Sequence, residues 1–207
     1  MAYPVSVSVV PPSTARHRLS VAFRAILAIP HIILVGGAGA TVAVSQDQPR
    51  SGSAEGGLLG AVVFVLVVVS WFTIVFGGVH IDGLRRFTAF YLRWRARALA
   101  YMALLEDEYP PFGDGPYPVT LDVVEPGARP RLKVAFRAIL AIPLLLILIA
   151  VMIAWCVVTI VAWFSLLLTG RHPQGAYDFA VRALRWRLQV DGYMLLLVDE
   201  YPPWWPA

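Results

Sequence analysis

Two carboxylate pairs, Asp107–Glu108 and Asp199–Glu200, occupy matching places in the chain, each running straight into Tyr-Pro-Pro. Adjacent carboxylates can share general acid–base work. Their neighbours oppose that use. Each pair follows an arginine-rich segment, and the prolines behind it read as a helix stop. Acid at a helix C-terminus is disfavoured by the dipole, so a cation is expected close by. Arg24 and Arg137 are the candidates, each about one turn into a long apolar run. A charge costs roughly 2.5–3.5 kcal/mol at a bilayer centre and less towards its edge. Three arrangements relieve that cost: snorkelling to the headgroups, pairing with Asp107, Glu108, Asp199 or Glu200, or holding a lipid phosphate.

The histidines are the other chemistry-bearing residues. His80 and His172 stand at equivalent places, but no Cys, Glu or second His follows at ligand spacing, and Gln174 replaces Asp82. Neither a metal site nor a cofactor is expected. His31 lies inside the first apolar run and becomes Leu144 in the second. The nucleophile elbow, the phosphate-binding loop, the zinc-protease pair and the dinucleotide fingerprint are all missing. No catalytic residue is assigned, and the chain reads as a non-enzyme.

The elements that position these residues come in duplicate. Val21–Pro30 returns identically as Val134–Pro143, Trp71-Phe72 as Trp163-Phe164, and Arg93-Trp94-Arg95 as Arg185-Trp186-Arg187. Tyr3-Pro4-Val5 returns as Tyr117-Pro118-Val119. Two copies of one unit follow, residues 1–113 and 114–207. A signal peptide is disfavoured, because the first apolar run recurs deep in the chain.

Of the 207 residues, 58% are hydrophobic and 14% charged, against about 25% charged in a soluble domain. The formal charge of +4 could serve nucleic acid or an anionic membrane surface; the apolar content decides for membrane and against nucleic acid. The lone Cys156 excludes an intramolecular disulfide.

Runs at about 23–44 and 58–77 are each near the ~20 residues that cross a bilayer, with a polar loop at 45–53 between them. In the second copy, Val134–Thr169 as one helix would measure roughly 54 Å. One span with an interfacial stub fits this run, and so do two short spans. The first copy favours two, at about 132–150 and 152–169. Of 17 Lys and Arg, only Arg50 lies in the loop, which places both termini in the cytoplasm and predicts parallel repeats.

After each pair of spans, apolar residues recur at three- and four-residue steps over about 84–106 and 176–198. With arginines on another face, these read as amphipathic helices lying in the membrane interface. Trp94 and Trp186 would anchor them, flanked by Arg93, Arg95, Arg185 and Arg187. Before each pair, alternating Val5, Val7, Val9 and Val119, Leu121, Val123 predict short strands that could pair with each other. The fold class is therefore mainly α and membrane-integral, in two strand–hairpin–helix repeats.

The repeated Phe-Arg-x-Ile-Leu-Ala-Ile-Pro, Gly170–Pro173, Arg-Trp-Arg and Asp-Glu-Tyr-Pro-Pro together resemble a bacterial membrane-protein family known only as domain of unknown function 4389. The resemblance covers nearly the whole chain twice and implies an integral membrane protein, typical of actinobacteria, with no activity attached. At Gly78–Ile81 the first copy lacks that family's arginine and proline. The expected role is a non-catalytic accessory or scaffold subunit of the cell membrane. Its partners would be anionic lipid headgroups and possible members of a larger membrane complex. The alternative is a small two-repeat transporter or channel.

Overall fold

The computed structural model describes residues 3–11, 18–37, 57–125, 127 and 130–204. Strand β1 (Val5–Val9) is followed by α1 (Arg18–Leu27), α2 (Ile29–Val35), α3 (Gly57–Phe72, extended by a π-helical turn to Gly77) and α4 (Asp82–Met102). Then come β2 (Val119–Val123), α5 (Arg131–Ala135), α6 (Arg137–Thr169) and α7 (Gln174–Met194). The polar loop at 45–53 and positions 38–44 of the first expected span lie outside the described residues.

The second copy corrects the two-span expectation. In place of short spans at 132–150 and 152–169 it has α6, an unbroken helix of 33 residues with Pro143 inside it. The reason is local. Residues Ile149 to Ile153 include no glycine or proline to turn the chain, so the intrahelical hydrogen bonds run on through that stretch. The helix ends at Gly170, whose φ of 71° is open to glycine at little cost.

The first copy departs from a hairpin too. Counting from Val21 and Val134 places Gly36 opposite Ile149; counting back from Trp71 and Trp163 places Gly57 opposite the same residue. In space the two glycines meet. Gly36 (φ 79°) closes α2 and Gly57 (φ 66°) opens α3, and a Cβ on Gly57 would lie 2.7 Å from the Gly36 nitrogen. The Tyr91 hydroxyl donates to the Val35 carbonyl and sits where a Gly60 side chain would begin, so the end of α2 and the start of α3 share one face of α4. Six buried positions coincide: Ala28, His31, Val35, Val63, Ser70 and Ile74 correspond to Ala141, Leu144, Leu148, Trp155, Ala162 and Leu166. Helices α2 and α3 are thus the interrupted counterpart of α6. The insertion leaves at one glycine and returns at another.

Three layers result. The strands pair antiparallel, with Val7 opposite its own counterpart Leu121 and Val5 opposite Val123. One face of the sheet, carrying Val5, Val7, Val119 and Leu121, covers α4 and α7, with β2 on α4 and β1 on α7. Helices α4 and α7 pack on each other, and beneath them α2–α3 lies on α4 while α6 lies on α7.

Contacts between the copies are reciprocal. Trp71 Nε1 donates to the Val134 carbonyl and Trp163 Nε1 to that of its counterpart Val21, both at 3.0 Å. Arg131 rests on Gly78, and Arg18 on the equivalent Gly170. Each long helix therefore begins beside the end of the other, so the two run antiparallel. A pseudo-two-fold passes through the middle of the sheet, as in an isologous interface.

Helices α4 and α7 end at Met102 and Met194, four residues short of the expected 106 and 198. Leu104 and Leu196, at φ 62° and 60°, supply left-handed caps, with Leu105 N–H reaching the Ala100 carbonyl and Leu197 N–H that of Gly192. These helices form the central layer of the molecule. That corrects the reading of them as helices lying on a membrane interface.

Candidate functional site

Arg24 and Arg137 organise two equivalent clusters. Arg24 projects from α1 to the end of α4, where Nη1 donates to the Glu106 carbonyl at 2.9 Å and Nη2 meets Asp107 Oδ1 at 2.6 Å. Its guanidinium lies 4.7 Å from the centre of the Tyr101 ring. Arg137 repeats the arrangement, reaching the Tyr193 carbonyl at 2.9 Å and Asp199 Oδ1 at 2.5 Å, with its guanidinium 4.5 Å from the Tyr193 ring centre. Both arginines are buried. The chemistry is a clamp: a cation fastens the end of the long helix to the carbonyls behind α4 or α7 and to an aspartate, over an aromatic face.

The other carboxylate of each pair is used differently. Glu108 and Glu200 expose their side chains. Their backbone carbonyls accept from Tyr117 and Tyr3 at 2.8 and 3.0 Å. Burial pushes both phenols well above their ordinary range, keeping them protonated donors. Tyr3 thus ties the start of the chain to its end, and β1 completes the second copy rather than the first.

The expected membrane anchors are internal. Trp186 is 0% exposed and donates to the Pro203 carbonyl; Trp94 is 7% exposed and donates to His31 Nδ1 at 3.1 Å. Neither reaches an interface, because the sheet and the segments after α4 and α7 cover the helices on which they sit. Among the arginines, Arg93 pairs with Asp114 at 3.2 Å near the surface and Arg185 holds the Val7 carbonyl. Arg95 and Arg187 are buried, and both approach Asp191 Oδ2, at 3.4 and 3.3 Å.

That centre was missed from sequence. Arg95 and Arg187 are counterparts, and Asp191 stands where the first copy has Leu99, so one carboxylate serves two cations near the pseudo-axis. An acid replacing a leucine on an otherwise apolar repeat position was the available signal. His31 was noticed but its setting was not: its ring stacks on Phe112 at 4.7 Å and contacts Tyr109. His80 and His172 stand just beyond α3 and α6, and the His172 ring lies edge-on to Tyr177 at 5.5 Å.

A groove of about 480 Å³ runs between the antiparallel long helices. Ala28 and Ile32 form one wall, Trp155, Ile160 and Trp163 the other, and Met102–Leu104 the floor. It is almost wholly apolar, with nothing in it to activate a nucleophile. Among the described residues, the buried Trp155 Nε1 has no hydrogen-bond partner.

No curated protein and no solved structure matches this chain. The model of the family described as Domain of unknown function (DUF4389) matches residues 56–113 and 131–206, and those segments contain both acid pairs, both Arg-Trp-Arg motifs and both long apolar helices. Two matched segments account for well over half the chain, so the protein belongs to the Domain of unknown function (DUF4389) family and carries its domain in two copies.

Proposed function

We propose that the protein is a non-catalytic, lipid-contacting scaffold of the cell membrane, built from two units that each consist of a strand, a long apolar helix and a returning helix. One observation carries the reading. The segments Gly57–Gly77 and Arg137–Thr169 are long and apolar enough to cross a membrane, yet only 17% and 28% of their most apolar stretches are buried. A core helix of a water-soluble protein would be mostly covered. Here Val65, Val69, Phe72 and Phe76 of α3, and Ile142, Ile149, Ile153 and Phe164 of α6, are exposed. An apolar face that runs along both long helices needs lipid or a partner.

The exposed cations Arg18, Arg86, Arg131, Lys133 and Arg171 at the helix ends suit anionic headgroups. A larger membrane complex is the natural setting for a rigid body without catalytic groups. The transporter alternative has no observation of its own, since the Thr73 hydroxyl is spent on the Ser70 carbonyl within its own helix.

Fractionation of a bacterial host expressing the full chain tests the reading. The protein should remain in membranes through high salt and alkaline carbonate, and leave only with detergent. Release by salt or carbonate would overturn it.

A further inference from the structure

The layers raise a question of orientation that the two long helices alone do not answer. Length and composition would let α3 and α6 cross a bilayer. Their position in the molecule argues otherwise. The sheet sits on the pseudo-two-fold axis, midway between the two ends of the antiparallel long helices. If those helices stood across a bilayer, the sheet would lie at mid-height and face the acyl chains. Its outer face carries Ser6, Ser8, Thr120 and Asp122, all exposed. Its two strands have no further strand beside them among the described residues. An open sheet edge has no place in hydrocarbon, where unpaired backbone groups find no partner. The segments around the sheet add exposed Glu108, Asp114 and Glu200 on that side.

Resting on the membrane reading above, we infer that the protein lies flat in one leaflet, with α2–α3 and α6 parallel to the membrane plane and the sheet in water. The partner of the α3–α6 face is the acyl-chain layer of that leaflet. This orientation puts the polar face of the sheet in water and the aliphatic faces of the long helices in lipid. The aliphatic outer faces of α3 and α6 enter the chains along their full length, which for α6 is about 50 Å. Exposed Arg18 and Arg171 at one end, and Arg131 and Lys133 at the other, then meet one headgroup layer together. Crossing helices would instead place similar cation clusters on both sides of the membrane, contrary to the usual charge asymmetry. The acidic sheet face points away from an anionic surface. The apolar groove between the helices opens to lipid.

Depth measurements separate the possibilities. The full chain, with Cys156→Ser as background, is spin-labelled singly at Ile139→Cys, Ile153→Cys and Phe164→Cys, which share the outer face of α6, and at Thr120→Cys, all at exposed positions. Each variant is reconstituted in vesicles of phosphatidylcholine and phosphatidylglycerol, and oxygen and water-soluble nickel accessibilities are compared. The flat orientation predicts that the three α6 labels prefer oxygen and share one depth, while the label at position 120 prefers nickel. Crossing helices would put the Ile153 label about 15 Å deeper than those at Ile139 and Phe164, half the hydrocarbon thickness, and would overturn the inference while leaving the membrane reading intact. Nickel preference at all four positions would overturn both.

Discussion

At the scale of single residues, the chain resolves each buried charge by pairing. Arg24 and Arg137 would be costly in an apolar setting if isolated, and removing one partner of a buried ion pair typically costs about 3–5 kcal/mol. Exposure decides which partner matters more. The Arg24 side chain is 3% exposed and that of Asp107 18%, so an orphaned aspartate reaches water and an orphaned arginine does not. Asp107→Leu should therefore destabilise by about 3 kcal/mol or more, and Arg24→Leu by less. The double substitution should cost less than the sum, as coupled neighbours do. Denaturant unfolding in detergent reads all three. Additive effects would show that the pair does not act as a clamp. The same logic assigns Asp191 its role: it stands between Arg95 and Arg187, both buried in the central layer.

The element scale is governed by what lets a helix continue. The two copies share Val21–Pro30 with Val134–Pro143 before an insertion and Trp71-Phe72 with Trp163-Phe164 after it, and glycines at 36 and 57 let the chain step out of the helix and back. Deleting residues 36–56 should therefore fuse α2 to α3 in the register that α6 already shows. The expected product is folded, with helicity per residue at or above that of the full chain. Its thermal midpoint should be unchanged or higher, because a long loop no longer has to be closed. Circular dichroism in detergent checks both. Loss of cooperative melting would mean that α2 and α3 do not form one interrupted helix. The αL residues Leu104 and Leu196 show the opposite case. A leucine in that conformation costs roughly 1–2 kcal/mol, and both are held there by burial, Leu104 against Val21, Ala162 and Leu166.

For the whole molecule, the decisive feature is that the first strand closes the second copy. Tyr3 is tied to Glu200, Val5 packs against Gly192, and Arg185 holds Val7. Removing residues 1–11 should strip the second copy of its cover and leave β2 without a partner. Burying side chains such as Val5 and Val7 contributes roughly 1.5–3 kcal/mol each, a large part of a domain's net stability of about 5–15 kcal/mol. The truncated protein should elute from size exclusion in detergent as aggregate, and the full chain as one symmetrical species. A monodisperse truncated protein would show that the copies are closed independently of β1.

Much of this was legible in the sequence, and the reasons are local. Duplication is a property of residue identity, so the repeat, the paired Arg24–Asp107 and Arg137–Asp199 clusters and the pairing of two strands could be anticipated. Strand alternation and apolar helical runs need only neighbours a few residues away. Hydropathy, however, reports that a segment avoids water without saying whether it crosses, lies along or packs inside an apolar layer. The break expected near Ile149–Ile153 did not occur, since a polar loop in one copy imposes nothing on the backbone of the other. Trp94, Trp186, Arg95 and Arg187 looked like interfacial anchors because an aromatic–arginine helix has the same periodicity at a bilayer surface as beneath a protein sheet. Only the tertiary structure decided between those media, by placing β1, the first element in the chain, over the last helix. That contact lies almost the full chain length apart, where no periodicity reaches.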